Sequence, residues 1–162
     1  PGQGSMRDCV ERLNSLDIVD ELRRCLVTKP FLGICLGKQI LFDYSEEGRS
    51  RGLGFLPGEV KRFNTKNSVK IPHMGWNTVS IKRDHPVFSG ILKNEGEKAH
   101  FYFVHSFFSK PDDHRVVFGE TMHGEVFASV ISSEYVFATQ FHPEKSSENG
   151  ILLLKNFAGW NP

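Results

Sequence analysis

Two periodicities divide the chain. Over Met6–Leu13 and Ile18–Leu26 the apolar residues Leu13, Leu16, Ile18, Val19, Leu22 and Leu26 recur at helical spacing, which predicts two helices broken at Asn14-Ser15. Lys29-Pro30 punctuates the chain, and the apolar run Phe31 to Ile34 predicts a buried, central parallel strand. Leu36 to Tyr44 returns to a helical pattern that Glu46-Glu47-Gly48 ends. Residues 48–58 are rich in Gly and Pro and predict turns. Beyond them, Glu59 to Phe63, Thr78 to Ile81, Phe101 to Val104, Arg115 to Glu120, Phe127 to Ser132 and Tyr135 to Gln140 predict strands. His85 to Ile91 predicts a short helical turn, and Glu148 to Phe157 a last helix burying Ile151, Leu152, Leu154 and Phe157. A strand–helix half followed by a strand-rich half predicts an α/β fold with antiparallel additions.

Chemistry gathers where strands stop. In Phe31-Leu32-Gly33-Ile34-Cys35-Leu36-Gly37-Lys38-Gln39 an apolar run ends at a cysteine with a glycine two residues away on each side. A sharp strand-to-helix bend brings backbone close to backbone and leaves no room for flanking side chains. A helix starting behind the cysteine aims N–H groups and a positive dipole end at the sulfur, which predicts a lowered thiol pKa. Free cysteines are most often simply buried; the glycines are what shift this one toward a nucleophile.

A nucleophile needs a base. Phe137-Ala138-Thr139-Gln140-Phe141-His142-Pro143-Glu144 ends a strand-like run with His142 and Glu144 two residues apart, on the same side of an extended segment. A carboxylate beside an imidazole fixes its tautomer and stabilises its charged form. His-x-Glu alone also describes an ordinary surface strand. Joined to a glycine-flanked Cys35, it becomes a nucleophile, a base and an orienter. The backbone N–H of Leu36, just after the nucleophile, is placed to donate to an oxyanion.

The Gly-x-Cys-x-Gly elbow and the His-Pro-Glu ending resemble the class I glutamine amidotransferases, which hydrolyse glutamine to glutamate and ammonia. Pro72-His73-Met74-Gly75-Trp76-Asn77, Phe101-Tyr102-Phe103-Val104-His105-Ser106-Phe107 and His142-Pro143-Glu144-Lys145-Ser146 narrow the likeness to the glutaminase subunits of imidazole glycerol phosphate synthase. The likeness runs to about Phe157. It implies the class I glutamine amidotransferase fold, a mixed, largely parallel sheet flanked by helices, as a single glutaminase domain over residues 1–162. It implies a thioester on Cys35 with His142 and Glu144 completing a triad, and no cofactor. A second oxyanion donor would come from Gly2 and Gln3 in the Pro1-Gly2-Gln3-Gly4 loop. Gln39, Glu47 and the backbone at Ser106 and Phe107 would hold the polar end of glutamine; for Glu47 a solvated helix-end carboxylate is the usual explanation.

The partner implied by the likeness is a cyclase, a (β/α)8 barrel, that receives ammonia in a heterodimer and forms imidazole glycerol phosphate and AICAR. Trp76 and Asn77 resemble the interface loop of that family, and Trp is a frequent interface anchor; a core Trp under a turn fits the sequence as well. Lys145 fits a salt bridge to the partner or a solvated lysine. Tyr102 resembles a residue lining the passage between the two active sites, with core packing the plain alternative. Rival readings are a paralogue feeding another acceptor, such as a cell-surface sugar, a glutaminase of anthranilate or aminodeoxychorismate synthesis, which Trp76-Asn77 argues against, and an inactive interaction module.

Composition excludes more than it adds. Lys plus Arg is 20 and Asp plus Glu 19 in 162 residues, and a net charge of +1 points to neither nucleic acid nor a membrane surface. A chain this long forms one domain and buries about 70% of its unfolded surface. Cys9, Cys25 and Cys35 are too few for a disulfide framework and fit a reducing cytoplasm, with Cys9 and Cys25 packed on helices. The other histidines (His73, His85, His100, His105, His114 and His123) lack metal-ligand spacing, and no metal is expected. In the resembled family several tens of residues precede the Pro-Gly-x-Gly loop, so this chain is expected to be an N-terminally truncated domain with an exposed sheet edge.

Overall fold

The computed structural model describes residues 4–64, 69–91 and 98–162. Helices α1 (Met6–Ser15) and α2 (Val19–Cys25) open the chain. Ser5 caps α1, its hydroxyl accepting from the Asp8 N–H. A positive φ at Asp17 turns the chain between the two helices and leaves Leu16 and Ile18 exposed, while Leu26 is buried.

Strand β1 (Phe31–Ile34) leads into a short helix, α3 (Leu36–Gln39). The helix expected as far as Tyr44 stops there. Phe42–Ser45 is instead strand β2, with Phe42 and Ser45 buried and Asp43 and Tyr44 exposed. Long-range pairing overrides the helical pattern: Leu53 N–H donates to the Ile40 carbonyl at 2.7 Å and Phe55 N–H to that of Leu41 at 2.9 Å. A single turn, Glu47–Arg49, follows, with Gly48 at φ 63°. The segment expected as turns holds β3 (Ser50–Arg51) and the start of β4 (Leu56–Arg62).

The rest is strand-rich, as expected, with β5 (His73–Ile81), β6 (Lys98–His105), β8 (Val117–His123) and β9 (Glu125–Ser133) longer than the expected runs and β10 (Val136–Thr139) shorter by one residue at each end. Strand β7 (Phe107–Pro111) has no counterpart in the sequence reading. Arg115 lies not in β8 but in a helical turn, His114–Val116, before it. Among the described residues the strands form a six-stranded sheet, β1-β10-β9-β8-β5-β6, and a four-stranded one, β3-β2-β4-β7. The pairs β1–β10 and β2–β4 are parallel and the others antiparallel. Strand β1, expected to be central, ends the six-strand order.

Strand β10 carries the core on both faces. Phe137 packs into a cluster with Phe88, Phe101, Phe103 and Phe141, while Val136 and Ala138 face a second cluster with Leu36, Leu41 and Phe42. Helix α4 (Ser147–Ala158) closes the first cluster. Its phase differs from the expected one. Gly150 lies so close to the Pro143 carbonyl that a Cβ would stand 1.8 Å from that oxygen. That contact turns Gly150 and Leu153 inward, and Ile151 is 67% exposed.

The elbow depends on Gly33. A Cβ there would stand 2.7 Å from the Gly37 carbonyl oxygen and 2.9 Å from the Ala138 Cβ, because α3 folds back onto β1 and β10. Gly33→Ala is expected to cost about 2–3 kcal/mol. At 2–4 °C per kcal/mol for a chain of this size, melting falls by roughly 5–10 °C in a thermal scan followed by circular dichroism.

Candidate active site

Cys35 sits where β1 ends, at φ 52° and ψ −104°, a left-handed conformation that non-glycine residues rarely hold. Its N–H extends the β1–β10 ladder to the Thr139 carbonyl at 2.8 Å, and its carbonyl accepts from the Lys38 and Gln39 N–H groups at 3.0 and 3.1 Å. The bend is thus clamped on both sides, with the sulfur lifted out of the strand. The Leu36 N–H bonds to that sulfur and, with the Lys38 charge, favours the thiolate. Burial is the larger effect and pushes the Cys35 thiol above its ordinary pKa. The lowered pKa expected from the helix end is therefore not what the structure gives: α3 has a single turn, and it cannot offset the loss of water around the sulfur.

His142 follows β10 and is buried. Its N–H donates to the Tyr102 carbonyl at 2.9 Å. The Ser146 hydroxyl donates to the His142 carbonyl at 2.6 Å while accepting from the Tyr102 N–H at 2.9 Å, so one side chain ties the end of the triad segment to β6. His142 and Glu144 do pair, Nδ1 to Oε1 at 2.7 Å, though not along an extended strand. Pro143 starts a helical turn, Pro143–Lys145, and the turn brings the carboxylate back under the ring. A carboxylate only accepts, so Nδ1 carries a proton, and in the neutral tautomer this bond selects, Nε2 keeps its lone pair.

Cys35 and His142 line one cleft of about 470 Å³, together with Leu36, Gln39, Glu47, Ser106, Phe107 and Lys145. Gln39 spends its amide N–H on the Phe107 carbonyl at 2.9 Å. Glu47 is not a freely solvated end-of-helix acid: its carboxylate accepts from the Met6 N–H at 3.0 Å, at the first turn of α1, and borders the cleft. The Ser106 carbonyl accepts from the Phe63 N–H at 3.2 Å. Gly2 and Gln3 lie outside the described residues.

Trp76 and Asn77 belong to strand β5 rather than to a loop, and Trp76 is 54% exposed, which removes the core alternative. Its ring meets that of Tyr102, its partner across β6, edge-on at 6.3 Å. Tyr102 is half-buried, and Lys145 is exposed.

No role at the site was assigned from the sequence to His105, His73, Lys38 or Gln140. His105 Nδ1 donates to the Phe107 carbonyl at 2.8 Å, which leaves Nε2 to accept from His73 Nδ1 at 2.9 Å, and His73 Nε2 in turn accepts from the Asn77 amide at 3.0 Å. The chain is consistent only with neutral rings. Burial accounts for this, bringing His73 down to about 4 and His105 well below its ordinary value. At His105 the bond to the Phe107 carbonyl works against burial, and the Lys38 charge works with it. Lys38 was unexpected, because a lysine in a helix ordinarily points to water; here it is fully enclosed. Gln140 carried a usable signal: a polar residue inside the apolar run Phe137 to Phe141 of a two-sided strand must be meeting another polar group.

The family model of the class-I glutamine amidotransferases matches residues 1–159. The chain belongs to that family. The imidazole glycerol phosphate synthase subunit HisH of Aromatoleum aromaticum is 45% identical over 169 residues, which span 100% of this chain and 78% of that protein. The subunit of the same name from Neisseria gonorrhoeae is 44% identical over 166 residues, 99% of this chain and 76% of that one. Among solved structures, PurLQS from Thermotoga maritima superposes with a TM-score of 0.64 at 18% identity, covering 88% of this chain and 67% of that one. A putative GMP synthase subunit from Thermoplasma acidophilum gives 0.59 at 21% identity, covering 90% and 65%. At those identities the two structures speak to the fold alone. Among the described residues no helix is long and apolar enough to cross a membrane.

Proposed function

We propose that this glutamine amidotransferase cleaves the side-chain amide of glutamine through a Cys35 thioester and passes the ammonia to a cyclase of (β/α)8 type, as the glutaminase subunit of a cytoplasmic imidazole glycerol phosphate synthase. The observation that carries the reading is the Glu144 carboxylate on His142 Nδ1, which makes Nε2 the accepting nitrogen of the neutral ring, in the cleft that Cys35 lines. Nε2 takes the thiol proton as the sulfur attacks the amide carbon, then returns it to the departing nitrogen, and ammonia leaves. Water, losing a proton to the same Nε2, attacks the thioester; glutamate departs and the thiol is restored. The Leu36 N–H faces the tetrahedral oxyanion, with Gly2 and Gln3 as the second donor. Glu47 meets the substrate ammonium, and Gln39, Ser106 and Phe107 border its polar end.

Ammonia released into neutral water is protonated and lost as a nucleophile, so the cleft must be covered in use. Exposed Trp76, at 54%, and Met74, at 62%, with Tyr102 beside them, supply an apolar face for a partner, Asn77 adds a polar group, and Lys145 stands exposed at the rim of the cleft. Glutamate release from L-glutamine is expected to rise about 5–150-fold when the cyclase subunit of an imidazole glycerol phosphate synthase is added, the usual range for coupled sites. High turnover by the chain alone, unchanged by the cyclase, overturns the coupled reading.

A further inference from the structure

Lys38 has no part in the proton transfers above, yet its side chain is 0% exposed. Its ammonium donates to the Ser109 hydroxyl, to the Ala128 carbonyl at 2.6 Å and to the Gln140 carboxamide oxygen at 3.4 Å. All three acceptors are neutral, and among the described residues Lys38 forms no ion pair. An enclosed cation without a counter-charge is costly, and burial brings its pKa down to about 7. An apolar side chain of the same length would fill the space without that cost.

Gln140 shows what the cation faces. Its Oε1 accepts from Lys38 and its Nε2 donates to the Cys35 sulfur at 3.7 Å. An amide held between a cation and a sulfur is polarised, so that its N–H presents more positive charge to the sulfur. Gln140 is fully enclosed and takes no part in lining the cleft, so this bridge reaches Cys35 from the protein interior. We propose that Lys38, acting through the Gln140 carboxamide, is a positioning residue whose positive charge stabilises the Cys35 thiolate as His142 removes its proton. Lys38 transfers no proton in this step: the thiol proton goes to His142 Nε2. The proposal rests on Cys35 being the nucleophile of the reaction above.

The titratable groups facing Lys38 are Cys35 at the start of its own helix and His105 on β6, the latter held neutral by burial. Beyond Ser109 and Ala128 a separate hollow carries Lys61, Lys110, His114, Glu120 and Glu125. All of these remain in a Lys38→Met variant.

The test is the rate at which iodoacetamide alkylates Cys35, read by mass spectrometry on the peptide that holds residue 35, for the parent chain and Lys38→Met from pH 6 to 9. The ammonium is present below about pH 7 and lost above it. The parent is expected to react about tenfold faster at pH 6, the equivalent of one pKa unit, and the ratio to fall to about one by pH 9. A ratio that does not fall across this range overturns the proposal; a constant ratio is what a packing role gives. Gln140→Leu keeps the question open to measurement if methionine at 38 prevents folding: its ratio is expected to decline through the same midpoint, to a plateau set by the lost Gln140 hydrogen bond. Alkylation needs no glutamine. A falling ratio in a protein that does not hydrolyse glutamine therefore overturns the proposed reaction and leaves the role of Lys38 standing.

Discussion

Cys35→Ala is expected to end glutamate release from L-glutamine, lowering the rate by about 10⁴-fold or more, the usual consequence of removing a covalent nucleophile. The same change is expected to move the unfolding free energy by no more than about 1 kcal/mol. The two expectations differ in size because the sulfur and the backbone of residue 35 do different work. Its N–H and carbonyl hold the elbow together, through Thr139 on one side and Lys38 and Gln39 on the other, and alanine keeps both groups. Among the described residues the sulfur bonds to the Leu36 N–H and the Gln140 amide, and it otherwise borders the cleft. Steady glutamate production by Cys35→Ala, measured with a coupled dehydrogenase, would overturn the thioester. A variant that fails to melt cooperatively would place the residue in the fold instead.

Much of this site was legible because its signals are local. Two glycines around a cysteine predict a tight bend, and at Gly33, which meets the Gly37 carbonyl, a side chain has no room. The His-x-Glu spacing gave the right pair, although Pro143 delivers it through a turn rather than along a strand. The misread elements were decided at long range. Phe42 and Tyr44 fit an amphipathic helix in sequence, but residues 52–56 take the backbone bonds of residues 40–43 and draw that stretch into a sheet. Strand β7 escaped because Ser109 and Lys110 interrupt its apolar pattern; Ser109 is buried only because it meets Lys38, far away in sequence. Helix α4 was found but turned, since nothing near Gly150 in the sequence reveals that Pro143 leaves room there for glycine alone. Lys38 is the sharpest case: the property that matters, burial without a counter-charge, exists only once three strands and a loop have closed around it.

The thiol pKa separates two accounts of the same triad. A helix dipole strong enough to ionise Cys35 unaided would make the imidazole a convenience. Burial pushes the thiol the other way, above its ordinary value, so at neutral pH the sulfur holds its proton until a base removes it. His142→Gln preserves a polar side chain in the buried position but cannot accept that proton. Glutamate release by this variant is expected to fall about 10⁴-fold at pH 7, the scale on which a misplaced or missing imidazole acts in triads of this kind. The sign of the pH dependence follows from the raised thiol: above neutrality the fraction of thiolate keeps growing with pH, by up to tenfold per unit while the pH stays below the thiol pKa. Alkylation of Cys35 by iodoacetamide in His142→Gln should therefore climb with a slope near one in log rate against pH, without a plateau at neutrality. A flat, fast reaction at pH 7 in that variant would mean that the elbow alone ionises its sulfur and that His142 serves only the departing nitrogen.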